Sequence, residues 1–225
     1  AQGVTGTLDV LDGEVGFGVV MSDGADWSKA TAGLGEDYNI GRMTVKNHGC
    51  CGHTFAAIDA VLALRAQHGL TPENVASIHA ATYGPSIEIC NRPDPHTPTD
   101  CRFSIQYVMA HALMHGSVRL AAFLPDRFED KALRAILPRM SASVDPELDA
   151  RFPGQRAARV TIETTDGGML EFFQPTRRGD PDAPLTDAEL DAKFLELAGD
   201  VLPAAQAETM LAALRGLETR GDMDL

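Results

Sequence analysis

The chain has 225 residues, 44% of them hydrophobic and 23% charged, enough apolar content to bury a core. Its formal net charge of -13 repels phosphate backbones, so nucleic-acid binding is not expected, and a small anion can bind only where basic residues gather locally. No stretch is long and apolar enough to span a membrane. The best candidate, Val108 to Leu124, is interrupted by His111, His115 and Arg119.

Residues 1 to 45 are glycine-rich and read as loops with short elements. Ala1 to Val4 lack the basic and apolar regions of a signal peptide. A turn is expected at Asp12-Gly13 and a short helix over Trp27 to Leu34. From His53 the pattern turns helical, with Phe55, Ile58, Leu62 and the Arg65 stem on one face, ending near Gln67-His68-Gly69. Thr71-Pro72 carries a helix-start signal but is followed at once by a strand-like run, Ala76 to Tyr83. Four prolines between residues 84 and 100 predict a long loop. Ser104 then caps a helix over 105–115, and Asp126 to Leu137 reads as a further helix. Ala158 to Thr164, the turn Asp166-Gly167-Gly168 and Met169 to Phe173 form a hairpin. Thr186-Asp187-Ala188-Glu189 is a capping box opening a helix with Leu190, Phe194, Leu197 and Val201. Pro203 restarts a last helix through Leu217, and the tail after Thr219 is expected to fray. Helices joined to late antiparallel strands predict an α+β layer.

The densest run of reactive side chains is Lys46-Asn47-His48-Gly49-Cys50-Cys51-Gly52-His53, a loop feeding a helix N-terminus. Free backbone N–H groups there favour anions, and a lysine adds a full positive charge, so the run suits a carboxylate substrate or a proton carrier. Its bland alternative is a solvated lysine beside a glycine turn. Zinc is the rival reading, but adjacent Cys50-Cys51 strains the tetrahedral geometry and no second knuckle follows, so no metal site is expected. The four cysteines, Cys50, Cys51, Cys90 and Cys101, read as buried apolar filler in a reducing cytoplasm rather than a disulfide framework. His111 and His115 share a helix face without an acidic partner in the motif, which is not a metalloprotease pattern. Arg102 can clamp a carboxylate bidentately, and Ser104 caps the helix behind it. Arg177-Arg178 reads as a solvated surface pair.

Lys46 through Cys50-Cys51 into His53-Thr54-Phe55-Ala56-Ala57-Ile58-Asp59-Ala60 resembles the lysine-bearing hinge segment of the MmgE/PrpD family. Arg102-Phe103-Ser104-Ile105-Gln106-Tyr107 resembles that family's Phe-Ser-x-x-Tyr helix start. Val160 to Gly167 and Gly179 through Lys193-Phe194 are similar to two later segments in the same order. The resemblance implies a large helical domain and a small α+β lid with the active site between them. Residues 1–45 would be the end of the helical domain, 46–178 the lid with its antiparallel sheet, and 179–225 return helices packing on the helical domain. It implies a lyase of dehydratase type, with decarboxylase or epimerase as alternatives, acting on a small polycarboxylate by proton abstraction next to a carboxylate. No metal or organic cofactor is implied. Lys46 would be the principal catalytic residue, with His48 and His53 beside it and Arg102 and Ser104 binding substrate. Family members are roughly twice as long, so the resemblance also implies an N-terminal half, as a separate chain or cleaved fragment, that completes the site. It further implies a homo-oligomer, such as a dimer, of the assembled enzyme. A non-catalytic regulatory or assembly module is the reading from a different class.

Overall fold

The computed structural model describes residues 5–219 and 221. The expectations for Ala1 to Val4, and for the tail after Thr219 apart from Gly221, lie outside them. The chain divides into two units, Ala1–Arg42 and Met43–Leu225. In the first, helix α1 (Phe17–Met21) lies against an indole: a Cβ on Gly18 would come within 2.5 Å of the Trp27 ring. The helix expected over Trp27 to Leu34 is only a 3-10 turn, Trp27–Lys29, followed by further turns. Leu8, Val15 and Leu34 are exposed, so these residues offer little apolar burial to hold a longer helix.

The second unit is built on a four-stranded sheet in the order β2-β1-β3-β4. Helix α2 (Phe55–His68) leads into β1 (Val75–Thr82). Thr71-Pro72 opens a turn rather than a helix, because the Asn74 side chain accepts from the Thr71 N–H and the chain then extends into β1. The long loop expected over 84–100 instead contains α3 (Gly84–Cys90) and α4 (Pro98–Arg102). Pro85 and Pro98 stand in the first turn of these helices, where a missing N–H costs no hydrogen bond.

Helix α5 (Ile105–His115) is almost wholly buried from Ile105 to Leu113. The single helix expected from Asp126 to Leu137 is two, α6 (Pro125–Phe128) and α7 (Lys131–Ile136), because the Asp130 carboxylate caps a fresh start at the Ala132 N–H. Strand β2 (Met140–Val144) follows, then α8 (Pro146–Asp149), β3 (Ala158–Thr164), β4 (Met169–Gln174), α9 (Asp187–Gly199) and α10 (Ala204–Arg215).

The α+β class holds. The sheet is mixed rather than wholly antiparallel, since β2 runs parallel to β1 while β3 and β4 are antiparallel to their neighbours. Across the sheet, Met140, Ile78, Ile162 and Leu170 align in register, as do Ala142, Ala80, Val160 and Phe172. Those two rows face α2 and α5 and form the core. On the other face His79 bridges Ser141 and Ser143, each at 2.9 Å. Helix α2 is buried on most sides because the sheet and α5 both pack on it, which is why its apolar stripe is wider than the single face read from spacing. Among the described residues no helix is long and apolar enough to cross a membrane.

Candidate functional site

The stretch before α2 runs extended and is tied down from three sides. Val45 donates its N–H to the Gly179 carbonyl at 2.8 Å. Gly179 has φ +99°, and a Cβ there would lie 2.0 Å from the Val45 carbonyl oxygen, so only glycine lets the two backbones meet. Thr44 donates to Asp180 at 2.6 Å, and Lys193 of α9 donates from Nζ to the Lys46 carbonyl at 2.6 Å. The Lys46 backbone is thus held while its side chain stays exposed.

Two further backbone bonds set the opposite wall. Gly49 donates to Val118 at 2.9 Å, and Cys51 donates to Arg102 at 2.9 Å. They lay the loop against the start of α5 and against the segment that follows it, and they leave a cavity of about 430 Å³. Its polar rim carries Lys46, Arg102, Arg119 and Lys193 with a single carboxylate, Glu196; Cys51, Phe103, Leu120 and Leu197 supply apolar surface. Arg119 Nη1 pairs with Glu196 at 3.2 Å without a well-directed hydrogen bond, so the two charges meet at the cavity rim. The Arg102 guanidinium sits 5.0 Å from the Phe123 ring centre, which fixes its plane. Burial, and then the charge of Arg119, hold the Lys193 ammonium below its ordinary pKa.

Of the residues singled out from sequence, Lys46, His48 and Arg102 line this cavity; His53 and Ser104 are not among its lining residues. His48 is buried, and its Nε2 is bonded to Asp59 of α2 at 2.9 Å; the second Asp59 oxygen accepts the Arg178 N–H at 2.9 Å. The ring therefore packs as a strut between loop and helix. His53 bonds through Nδ1 to the Tyr83 hydroxyl at 2.9 Å and packs with Tyr83 and Phe152; burial, then Arg156 and Arg177, depress its pKa. Ser104 is fully buried, accepting from the Tyr107 N–H at 3.0 Å and donating to the Arg92 carbonyl at 2.5 Å, so its hydroxyl is spent inside the fold.

Arg177 is not the solvated surface residue expected. It is 8% exposed and binds Asp180 through both Nε and Nη2, at 2.9 and 2.6 Å. Burial works to raise the Asp180 pKa, but hydrogen bonds from Arg177 and Thr44 and the Arg177 charge prevail and hold it below the usual carboxylate value.

Sequence reasoning passed over Arg119 and Lys193 as site residues and read Cys51 as buried filler. Arg119 was visible only as a break in an apolar run, and Lys193 only as part of the Lys193-Phe194 pair. The filler reading fits Cys50, Cys90 and Cys101, which are buried, whereas Cys51 is half-exposed on the cavity wall. The Cys51 thiol is lowered to about 6. A hydrogen bond from Cys90 is the largest cause; burial opposes it, and the His53 backbone N–H, Lys46 and Arg177 reinforce it. Cys50, one residue earlier, is pushed up to about 12 by burial. Among the described residues no group of three or more His, Cys, Asp or Glu side chains is placed to hold a metal ion.

Residues 48–219 match the sequence profile of the MmgE/PrpD C-terminal domain. The chain is 24% identical over 204 residues to a cis-aconitate decarboxylase-like protein of Aspergillus oryzae, covering 87% of this chain and 42% of that protein. It is 25% identical over 138 residues to cis-aconitate decarboxylase of Mus musculus, covering 61% and 28% of the two chains. It is also 28% identical over 127 residues to 2-methylcitrate dehydratase of Escherichia coli K12, covering 53% and 26%. The chain thus spans less than half the length of these curated relatives.

Proposed function

The chain belongs to the MmgE/PrpD family through its C-terminal domain, and from that premise we propose that its cavity binds a small polycarboxylate for a lyase reaction of dehydratase type. The observation that carries this reading is electrostatic. In a chain of net charge -13, four cations converge on one cavity that holds a single carboxylate. A di- or tricarboxylate supplies the missing negative charge and can engage Arg102 and Arg119 through paired hydrogen bonds while Lys46 and Lys193 act as point charges. The relatives named as dehydratases and decarboxylases act on anions of this kind, so decarboxylation and epimerisation remain variants of the same chemistry. In this reading Lys46 anchors the carboxylate next to the reacting carbon, Arg102 holds a second one, and His48 keeps the loop in place through Asp59.

Calorimetric titration with citrate, 2-methylcitrate and cis-aconitate tests it, with acetate as control. Polycarboxylates are expected to bind and acetate not. Lys46→Ala and Arg102→Ala should each weaken binding roughly tenfold, the value of one charge-assisted contact. Equal affinity in wild type and both variants overturns the assignment.

The cavity is further proposed to be completed by additional polypeptide, an N-terminal half carried as a separate chain or fragment. Helix α9 has no fully buried residue and α10 buries only Ala207, while Leu197 and Leu214 are 40% and 36% exposed. Leu197 also lines the cavity, so a covering surface there would exclude water from the site. Native mass spectrometry should then show a companion chain. A monodisperse single chain that binds no dye for exposed apolar surface contradicts this. The same exposed helices also fit an assembly module without chemistry, for which binding of polycarboxylates would be absent.

A further inference from the structure

We propose that Cys51 is a catalytic residue of this cavity, the group that takes the proton from the carbon next to the substrate carboxylate. The inference rests on the polycarboxylate reading of the site and adds the base which that reading leaves unassigned. Among the described lining residues, the groups able to accept a proton are few. His48 is only 4% exposed and is bonded through Nε2 to Asp59 inside the fold, and Glu196 faces Arg119 at 3.2 Å. Lys46 is wanted as a cation to hold charge.

Cys51 is set apart from the other three thiols by position, being the one that is not buried. Its backbone N–H is pinned to the Arg102 carbonyl, so sulfur and guanidinium share one fixed frame. The residue immediately precedes the turn Gly52–Thr54 that runs straight into α2. The charged and titratable groups around it are Lys46 from the same loop, Arg177 from the segment after β4, Cys90 from the end of α3, and the adjacent Cys50 and His53. Lys46 and Arg177 are cations, and both favour negative charge on the Cys51 sulfur. Such surroundings shift Cys51 toward its thiolate form.

The step balances without a co-reactant. The C–H bond breaks, an S–H bond forms on Cys51, and the electron pair passes into the adjacent carboxylate, where Lys46 and Arg102 oppose the added charge. Expulsion of a β-hydroxide that carries off the thiol proton as water restores the thiolate and completes a dehydration.

Alkylation of the full chain with iodoacetamide across pH 5 to 9, read residue by residue by mass spectrometry, tests the assignment. Cys51 should react first, with a midpoint near 6, and saturating citrate should slow it at least tenfold. Lys46→Ala should move the midpoint upward. A midpoint at the ordinary thiol value of about 8.5, or labelling indifferent to citrate that calorimetry shows to be bound, overturns the proposal. If citrate does not bind at all while Cys51 still titrates low, the polycarboxylate reading fails instead. In enzyme that turns over 2-methylcitrate or cis-aconitate, Cys51→Ser should lower kcat about 100-fold or more with KM little changed, the range of a lost general base. An unaltered kcat removes Cys51 from the chemistry.

Discussion

Two helix starts in this molecule carry similar chemistry in sequence and have opposite fates in the fold. Before α2, a lysine, two histidines and two cysteines cluster around glycines; before α5, an arginine and a serine flank Phe103. The first keeps Lys46 and Cys51 at the cavity because the segment is gripped through the backbones of these two residues and through the side chains of His48 and His53 instead. The second spends Ser104 on the Tyr107 N–H and the Arg92 carbonyl and leaves Arg102 and Phe103 facing the cavity. A reactive side chain stays available when other atoms of its own residue satisfy the packing.

The comparison breaks first at Asp59. This buried carboxylate serves both His48 and the Arg178 N–H, so Asp59→Ala orphans two donors at once. A loss of about 3–5 kcal/mol is expected, the range for removing one partner of a buried polar pair, measured by urea denaturation. A loss below about 1 kcal/mol would mean that the loop before α2 is held by its backbone contacts alone.

The next effect belongs to the helix behind the second start. His111 Nδ1–H donates to the Ser117 carbonyl at 2.7 Å, its Nε2 is buried without a partner, and burial lowers its pKa from 6.5 to about 4. The unfolded chain therefore binds a proton in the window between these values when the folded one does not. Stability should fall as the pH drops from about 6.5 toward 4 and level off below, by up to about 3 kcal/mol. His111→Gln should flatten that slope in melting curves taken across the window. A slope equal to that of wild type would place the titrating group elsewhere.

The smallest effect separates the two starts most cleanly. Ser104→Ala removes a buried cap and should cost about 1–2 kcal/mol. Citrate affinity should remain within about twofold, since the hydroxyl is engaged away from the cavity. A tenfold loss of affinity would instead make Ser104 part of the binding surface.

Much of the fold was legible because its signals are local. The caps at Ser104 and Thr186, the Asp166-Gly167 turn and the alternation of β3 all lie within a few residues of the elements they define. Strand β2 was not legible, because Ser141 and Ser143 read as polar until His79 on a distant strand supplies their partner. Proline misled at 84–100, where it begins helices rather than breaking them. In the site, Lys46 and Arg102 stood out as cations beside glycine and a helix cap. Arg119, Lys193 and Glu196 did not, since they come to the cavity only through contacts between remote segments. Cys51 and Cys50 are indistinguishable as letters; only burial, and the hydrogen bond from Cys90, tell them apart.

The bond from Lys193 to the Lys46 carbonyl joins residues 147 positions apart, and the Val45–Gly179 bond closes a loop nearly as long. Closures of that span come late, after the shorter-range pairing of β3 with β4 has a template to build on. In chain order all four strands precede α9, so Lys193 can reach the Lys46 carbonyl only after every strand of the sheet has been made. On the proposed reading of the site, a pulse-labelling experiment on refolding chains should find protection of β3 amides preceding the appearance of citrate binding.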